Sequence, residues 1–365
     1  MTEDTALLTL HLVPNLGPIR IRRLKEHFGS ANAVLPASLA ELRRVQGISQ
    51  EMAVGIRITT EANSAEREQT KLECAGGWLL TEENPLYPES LRQLHNAPVL
   101  LQVLGTILDA DRHAIGIVGS RQSTFYGSEC AKRFSYRLAS AGLTIISGLA
   151  RGIDTAAHQG ALAAKGRTIA VIGSGLGQLY PPENSILAER IAQHGAVISE
   201  FPYDYPPNPQ TFPYRNRIVA GWSSDLLVVE AGSKSGALIT ANLALEQGRQ
   251  VYAIPGPIDR DASAGTNRLI QQGAKLVSCA EDILDELQQL FPTRRNEAQV
   301  PQEQIPVKIP PEEHLLLEAL GTGEKAVDDL VDLTGLSASK VSSALLSLEM
   351  KHRVRPLPGQ WYIRT

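Results

Sequence analysis

Ala114-Ile-Gly-Ile-Val118 runs directly into Gly119-Ser-Arg-Gln-Ser-Thr124, so an apolar segment of strand length ends in a glycine turn that carries hydroxyl groups and a cation. Six further apolar segments of similar length follow, separated by stretches with helical patterns. They begin at Leu143, Thr168, Ala196, Leu226, Val251 and Lys275. Such alternation is typical of a parallel sheet covered by helices on both faces. We therefore predict a Rossmann-like, doubly wound and mainly parallel α/β domain over residues 111–291.

The amino-terminal region has a helical pattern of its own. Residues 1–65 contain two units of helix, glycine turn and helix, centred on residues 13–18 and 45–48, which predicts a small helix-hairpin-helix or SAM-like domain. Turns of this kind can offer backbone N–H groups to a phosphate, and a purely structural packing domain fits the pattern equally well. The same two interpretations hold for its cations, which are Arg20, Arg22, Arg23 and Lys25.

Two stretches separate the predicted domains. Residues 66–110 are broken by Pro85, Pro88 and Pro98 and are predicted to be a connecting segment. Residues 292–310 are polar, rich in proline and without periodicity, which predicts a flexible linker. Residues 311–365 then give three helical patterns and a hairpin-like tail, the order of elements in a winged-helix domain.

The composition excludes several function classes. No apolar run approaches the 18 or so residues of a membrane span, and the first four residues lack the pattern of a signal peptide. Cys74, Cys130 and Cys279 are too far apart to predict a zinc site or a disulfide framework. We expect a cytoplasmic protein without metal or cofactor. The net charge of −4 means that any nucleic-acid contact must come from a local basic patch.

The ends of the predicted strands carry the candidate chemistry, because ligands of doubly wound sheets bind beyond the carboxyl ends of the strands. The turn at residues 119–124 is an anion-binding candidate. The second strand ends in Ser147-Gly-Leu-Ala-Arg-Gly-Ile-Asp154, with His158 one helical turn later. A hydrolytic Asp154–His158 pair is one interpretation, but the spacing ties no nucleophile to them, and a structural histidine is favoured.

A cluster of cations and aromatic residues follows the fourth strand. Phe212-Pro-Tyr-Arg-Asn-Arg217 places two guanidinium groups, an amide and two aromatic rings close together. Arginine pairs with phosphate and aromatic rings stack on bases, so the cluster favours nucleic-acid binding. Alternatively, Arg217 could pair with Glu230 and Phe212 could fill the core. The turn at residues 230–236, with Lys234, is also compatible with phosphate.

The chain lacks the motifs of common nucleotide enzymes. No G-x-x-x-x-G-K-[ST] sequence occurs, so the lysine and Mg²⁺ machinery of a P-loop nucleotidase is missing. The glycine turn at residues 173–177 departs from G-x-G-x-x-G because Gln178 holds the last position. We therefore predict a binding protein that catalyses no reaction.

Several of these motifs occur in the order found in one family. The sequence closely resembles the DNA-processing protein A (DprA/Smf) family over Ala114 to Leu290, and the flanking regions match it less tightly. The resemblance rests on Val118-Gly-Ser-Arg121, Ser147 to Asp154, Phe212 to Arg217, Ser235-Gly-Ala-Leu-Ile-Thr240, Pro255-Gly256 and Gly265-Thr-Asn267.

The resemblance implies a homodimeric protein of natural transformation that binds and protects incoming single-stranded DNA and helps to load the RecA recombinase. It implies that Arg121, Phe212, Arg215 and Arg217 meet the DNA, with help from the amides around Gly119 and Ser120. Lys165 and Lys234 are added for their charge near the same edge. The full set of predicted DNA-binding residues is Gly119, Ser120, Arg121, Arg151, Lys165, Phe212, Arg215, Asn216, Arg217 and Lys234.

The carboxy-terminal module is less suited to reading DNA. Residues 311–365 contain six Lys and Arg against eight Asp and Glu, and the third predicted helix offers only Lys340. A protein contact or self-association is therefore as well supported as duplex binding. A winged-helix regulator with a ligand-sensing α/β domain would need the basic recognition helix that is missing here.

One enzyme class competes with the binding function. Glycine-rich strand ends also suit a nucleotide, and related Rossmann-like families hydrolyse or transfer nucleotide glycosides. Glu230 and Asp154 would then be the acid and base candidates.

Overall fold

A computed structural model describes residues 1–290, 311–321, 325–350, 354–357 and 361–364. The chain divides into two compact units, one up to Arg294 and the other from Arg295. The predicted linker at residues 292–310 lies outside the described residues. Within the described ranges no helix is long and apolar enough to cross a membrane.

The strands form one large sheet and one small sheet. The large sheet has the order β1-β2-β6-β5-β4-β3-β7-β8-β9, and the small one has the order β10-β12-β11. The strands are β1 Gly77–Thr81, β2 Leu100–Gly105, β3 Ala114–Val118, β4 Thr144–Ser147, β5 Thr168–Ile172, β6 Ala196–Ser199, β7 Asp225–Val228, β8 Gln250–Ala253, β9 Lys275–Leu276, β10 Lys325–Ala326, β11 Val354–Leu357 and β12 Trp361–Arg364.

Along the chain, helices lie before, between and after the strands of the large sheet. They are α1 Glu3–His11, α2 Pro18–Phe28, α3 Ala31–Val34, α4 Leu39–Leu42, α5 Gln50–Glu61, α6 Ser64–Cys74, α7 Glu89–Arg92, α8 Phe125–Ser140, α9 Ile153–Ala163, α10 Ser185–His194, α11 Thr211–Trp222, α12 Gly236–Glu246, α13 Asp261–Gln271, α14 Glu281–Leu290, α15 Pro311–Leu320, α16 Val327–Thr334 and α17 Ala338–Met350.

The predicted fold class is confirmed. Among themselves, strands β3 to β9 pair only in parallel, and β3, β4, β5, β6 and β7 are buried along their whole length. Alternate residues of a strand serve opposite faces of the sheet. Ile117 packs in a core with Phe134 of α8, whereas Val118 packs in a second core with Ile218 of α11. The strands therefore have cores on both faces, as their continuous apolar sequences require.

The segment at residues 66–110 does more than connect two domains, so its predicted role is corrected. Strand β2 pairs antiparallel with both β1 and β6, which extends the sheet by two strands. Strand β6 lies about a hundred residues after β2 in the chain, so no local sequence pattern predicts this pairing. The two amino-terminal hairpins are present, joining α1 to α2 and α4 to α5. The described part of the carboxy-terminal unit contains three helices around a small core and the three-stranded sheet.

Candidate nucleic-acid interface

A cavity of about 620 Å³ opens at the carboxyl edge of the large sheet. The chain leaves β3 towards β4, β5 and β6 on one side, and β7 returns to the other side of β3, so the strand order reverses here. Loops after β3, β4 and β7 and one face of α11 line the cavity. This is the topological switch point at which doubly wound sheets bind ligands.

The loop after β3 is held by internal hydrogen bonds. The Ser120 amide donates to the Glu230 carbonyl oxygen at 2.7 Å, and the Gln122 amide donates to Ser120 Oγ at 3.1 Å. The Glu230 carboxylate accepts from the Thr124 amide and hydroxyl. The prediction that the Ser120 amide meets a phosphate is therefore corrected, because that amide is occupied, whereas the Ser120 hydroxyl still lines the cavity.

Gly119 is required by close packing. A Cβ at this position would lie 2.5 Å from Ile153 Cγ1 and 2.9 Å from the Glu230 carbonyl oxygen. The loop can approach α9 this closely only without a side chain at residue 119. Gly119 therefore shapes the cavity by allowing the backbone to follow this path.

Arg121 is the exposed cation of this loop. Its guanidinium lies 4.9 Å from the centre of the Phe212 ring, and no carboxylate pairs with it among the described residues. Phe212 is half-buried, with its ring centre 5.8 Å from that of Tyr180. Phe212 therefore packs on the protein without filling the core and supports a cation that faces the solvent, and its contact with DNA stays a prediction.

Arg215 lies beneath the cavity. It is 3 % exposed, and its Nη1 donates to the Gly148 carbonyl oxygen at 2.7 Å. Burial lowers the pKa of Arg215 to about 10, the nearby Asp154 carboxylate opposes this shift and Arg121 adds to it. Arg215 is therefore charged at neutral pH and borders the cavity from below. Its direct contact with DNA stays a prediction.

Asp154 organises the turn after β4. Its carboxylate accepts from the Gly148 amide at 3.1 Å and from the Ala150 amide at 3.3 Å. Burial raises the pKa of Asp154, whereas the charge of Arg215 and these two amides lower it. These two amides are satisfied from within the turn, so the carboxylate fixes the shape of this part of the cavity wall.

Arg217 does not face the cavity. Its Nη2 lies 2.5 Å from both carboxylate oxygens of Glu200, and both side chains are only 4 % exposed. Burial lowers the pKa of Arg217, and Glu200 and Tyr214 more than offset this, so the pKa is raised overall. The prediction that Arg217 meets DNA is corrected to a structural role. The predicted alternative partner, Glu230, is also wrong, because Glu230 holds Thr124.

Lys165 lies at the opposite edge of the sheet, so the prediction that placed it at this edge is wrong. Helix α9 begins after the carboxyl end of β4 and runs back for 11 residues, about 16 Å. Lys165 follows this helix and precedes the first residue of β5. Because parallel strands share their direction, that position is at the amino edge.

The remaining predicted residues lie on the carboxyl edge of the sheet. Asn216 and the exposed Lys234 line the 620 Å³ cavity. Arg151 lines a smaller adjoining cavity with Phe212, pairs with Glu183 and has its guanidinium 5.7 Å from the Tyr180 ring centre. Tyr180, to which the sequence analysis assigned no role, packs its ring beside that of Phe212.

The geometry gives no hydrolytic pair of Asp154 and His158. The His158 ring donates from Nδ1 to Thr168 Oγ1 at 2.7 Å, since that hydroxyl itself donates to the Ile145 carbonyl oxygen. Burial, assisted by the charge of Arg215, lowers the pKa of His158 to about 3. A fully buried, neutral imidazole of this kind serves the packing of α9 on the sheet, as the structural interpretation predicted.

The charges that border the cavity have a net positive sum. Its lining contains three cations, those of Arg121, Arg215 and Lys234, and two carboxylates, those of Asp154 and Asp261. Asp154 is buried and engaged with the wall. Together with Ser120, this arrangement can bind a phosphate.

Two family models match the sequence. One, described as DNA recombination-mediator protein A, matches residues 78–288. The other, described as the DprA winged helix domain, matches residues 299–360. Together they cover the sheet and the carboxy-terminal unit.

Individual relatives extend this similarity to the whole chain. Protein Smf from Synechocystis is 34 % identical over 400 residues, covering 100 % of this chain and 99 % of its own. Protein Smf from Escherichia coli is 40 % identical over 290 residues, covering 78 % of this chain and 77 % of its own.

Solved structures agree with the sequence relatives. The X-ray structure of DNA processing protein A from Streptococcus pneumoniae has a TM-score of 0.68 and 34 % identity, covering 78 % of this chain and 98 % of that one. A second structure, of DNA processing protein A from Helicobacter pylori, was described for its single-stranded DNA binding mode. It has a TM-score of 0.53 and 28 % identity, and covers 59 % of this chain and 98 % of that one.

Proposed function

The chain belongs to the DNA recombination-mediator protein A (DprA/Smf) family, and from that membership we propose that it binds single-stranded DNA along the carboxyl edge of its large sheet. In this proposal it protects incoming single strands during natural transformation and recombination and helps to load the RecA recombinase. It acts in the cytoplasm and catalyses no reaction.

One observation carries the proposal. Arg121, Arg215 and Lys234 border one open cavity at the switch point of the sheet. Cations spaced along an edge suit a polyanion that presents several phosphates, whereas a single small anion would need only one of them. The relative from Helicobacter pylori, whose structure was described for its single-stranded DNA binding mode, supports the same ligand class.

The sequence of the bound strand is expected to matter little, because backbone contacts carry no base information. Single-stranded oligonucleotides of equal length and mixed, thymine-rich or adenine-rich sequence should bind with affinities within about tenfold of each other. Fluorescence anisotropy with a labelled oligonucleotide and unlabelled competitors measures this. A single sequence that outcompetes the others by several hundredfold would contradict backbone recognition.

The carboxy-terminal unit is proposed to contribute little to this binding. Because the cations that line the cavity all belong to the first unit, deletion of the residues after Pro292 should leave most of the single-strand affinity intact. Anisotropy on the truncated chain measures the affinity, and circular dichroism shows that it is folded. Collapse of binding in a folded truncation would overturn the assignment of the site to the first unit.

Homodimerisation is part of the proposal. Helix α12 leaves Ile239 and Leu245 exposed at 44 % and 49 %. Their exposure makes α12 a candidate for the dimer contact. Light scattering on the purified chain tests this, and a monomer at every concentration would exclude it.

The competing function is a nucleotide glycoside hydrolase or transferase. Glu230 and Asp154 were its acid and base candidates, and both carboxylates accept hydrogen bonds from the wall of the site. Such bonds hold both carboxylates in the wall of the site and favour a structural role. Incubation with nucleoside monophosphates should release no free base, and release of base would support the enzyme instead.

A further inference from the structure

A second cavity, of about 320 Å³, lies beside the first and has a different chemical character. The buried side chains of Val229 and Ile254 and the rings of Pro255 and Pro257 contribute apolar walls. Phe125 stands at this cavity and is 84 % exposed. Phe125 therefore presents an aromatic face to the solvent beside these apolar walls, where a flat ligand could cover it.

The two cavities lie on the same edge of the sheet, because three chain segments contribute to both. The loop after β3 lines the first cavity with residues 118–122 and the second with residues 124–126. The loop after β7 lines the first with residues 232–237 and the second with residues 229–230. At the start of α13, Asp261 lines the first, and Arg260 and Ala262 line the second. A residue spans at most about 3.6 Å along the chain. The nearest residues of one segment that line different cavities therefore lie within roughly 15 Å of each other.

The charges of the second cavity do not favour a phosphate. It has one cation, Arg260, and one carboxylate, Glu230, so there is no positive excess. Apolar walls and an exposed aromatic face suit a flat, neutral ring. A nucleobase has this character, and each base of a single strand lies within one nucleotide of a phosphate.

We propose that the second cavity binds a base of the same strand whose phosphates occupy the first cavity, with the ring of Phe125 stacked against that base. The inference rests on the proposed single-strand function and deepens it. It assigns the cavity to a nucleobase and predicts that part of the affinity depends on bases, although not on their identity.

The test compares two probes of equal phosphate number. One is a thymidine oligomer, and the other is an abasic oligomer with the same backbone. Phe125→Ala should weaken binding of the thymidine oligomer about tenfold and leave that of the abasic oligomer nearly unchanged. The slope of log affinity against log salt should not change, since no phosphate contact is lost.

Two further variants control for structure. Phe125→Trp keeps a stacking surface and should retain the affinity, and its fluorescence should be quenched by the thymidine oligomer only. Tyr136→Ala removes another exposed aromatic residue of α8, 45 % exposed and outside both cavities, and should change neither affinity.

Several outcomes would overturn the inference. If Phe125→Ala lost the same affinity for both oligomers, Phe125 would act by shaping the path of the protein backbone. If its affinity for the thymidine oligomer were unchanged, the Phe125 ring would not stack on a base. If Phe125→Ala changed the assembly state and left DNA binding unchanged, the second cavity and Phe125 would belong to a protein contact. If the unmodified chain bound neither probe, the single-strand function itself would fail, and the inference would fall with it.

Discussion

Replacing Arg217 with alanine is expected to destabilise the first unit by about 3–5 kcal/mol, because it leaves the Glu200 carboxylate buried without a counter-charge. Both partners are only 4 % exposed, so water cannot replace the lost guanidinium without local opening. The free energy of unfolding from urea denaturation measures the change. A loss below about 1 kcal/mol would show that the pair is not buried in solution.

A double variant separates stability from binding. Arg217→Met combined with Glu200→Leu replaces the ion pair by apolar side chains of similar size, which is often neutral for stability. If Arg217 only positions α11, this folded variant should bind single-stranded DNA like the unmodified chain. Loss of binding in the stable double variant would restore the predicted direct contact of Arg217.

Arg121→Ala is expected to have the largest effect on binding among single changes at the cavity. Its guanidinium is exposed over the Phe212 ring and unpaired among the described residues, so it is available for a phosphate. Loss of one charge-assisted contact of this kind costs about 1.5–3 kcal/mol of binding free energy. The negative slope of log affinity against log salt should become shallower by about 0.7. Anisotropy over a salt series measures both quantities.

Arg112→Ala is the matched control for this prediction. Arg112 is likewise exposed, at 61 % of its side chain, but it precedes β3 and so lies at the amino edge of the sheet. Its loss should leave affinity and slope unchanged. If Arg121→Ala behaved like the control, Arg121 would have no part in binding.

The sheet could be predicted from sequence because its strands are apolar along their whole length. Residues 114–118 and 168–172 are buried at every position, and a continuous apolar run between helical patterns has few other interpretations. Strands β1 and β2 were missed because prolines interrupt the region and their partner, β6, is distant in the chain. Pairing of that kind depends on tertiary structure rather than on local pattern.

The location of the cavity could be predicted from the sequence, but the directions of the side chains around it could not. Arg215 and Arg217 are two residues apart on α11, which places them about 200° apart around the helix axis. Only one of them can face the cavity, and the partner of the other, Glu200, lies outside the quoted motif. Lys165 was misplaced because charge near a turn does not reveal which edge of the sheet the turn occupies.

Binding of matched single-stranded and double-stranded oligonucleotides over a salt series tests the central claim most directly. The account predicts tighter binding of the single strand and a slope of log affinity against log salt of roughly −2, from the three cations that border the cavity. Equal affinity for the duplex, or binding that does not change with salt, would contradict it.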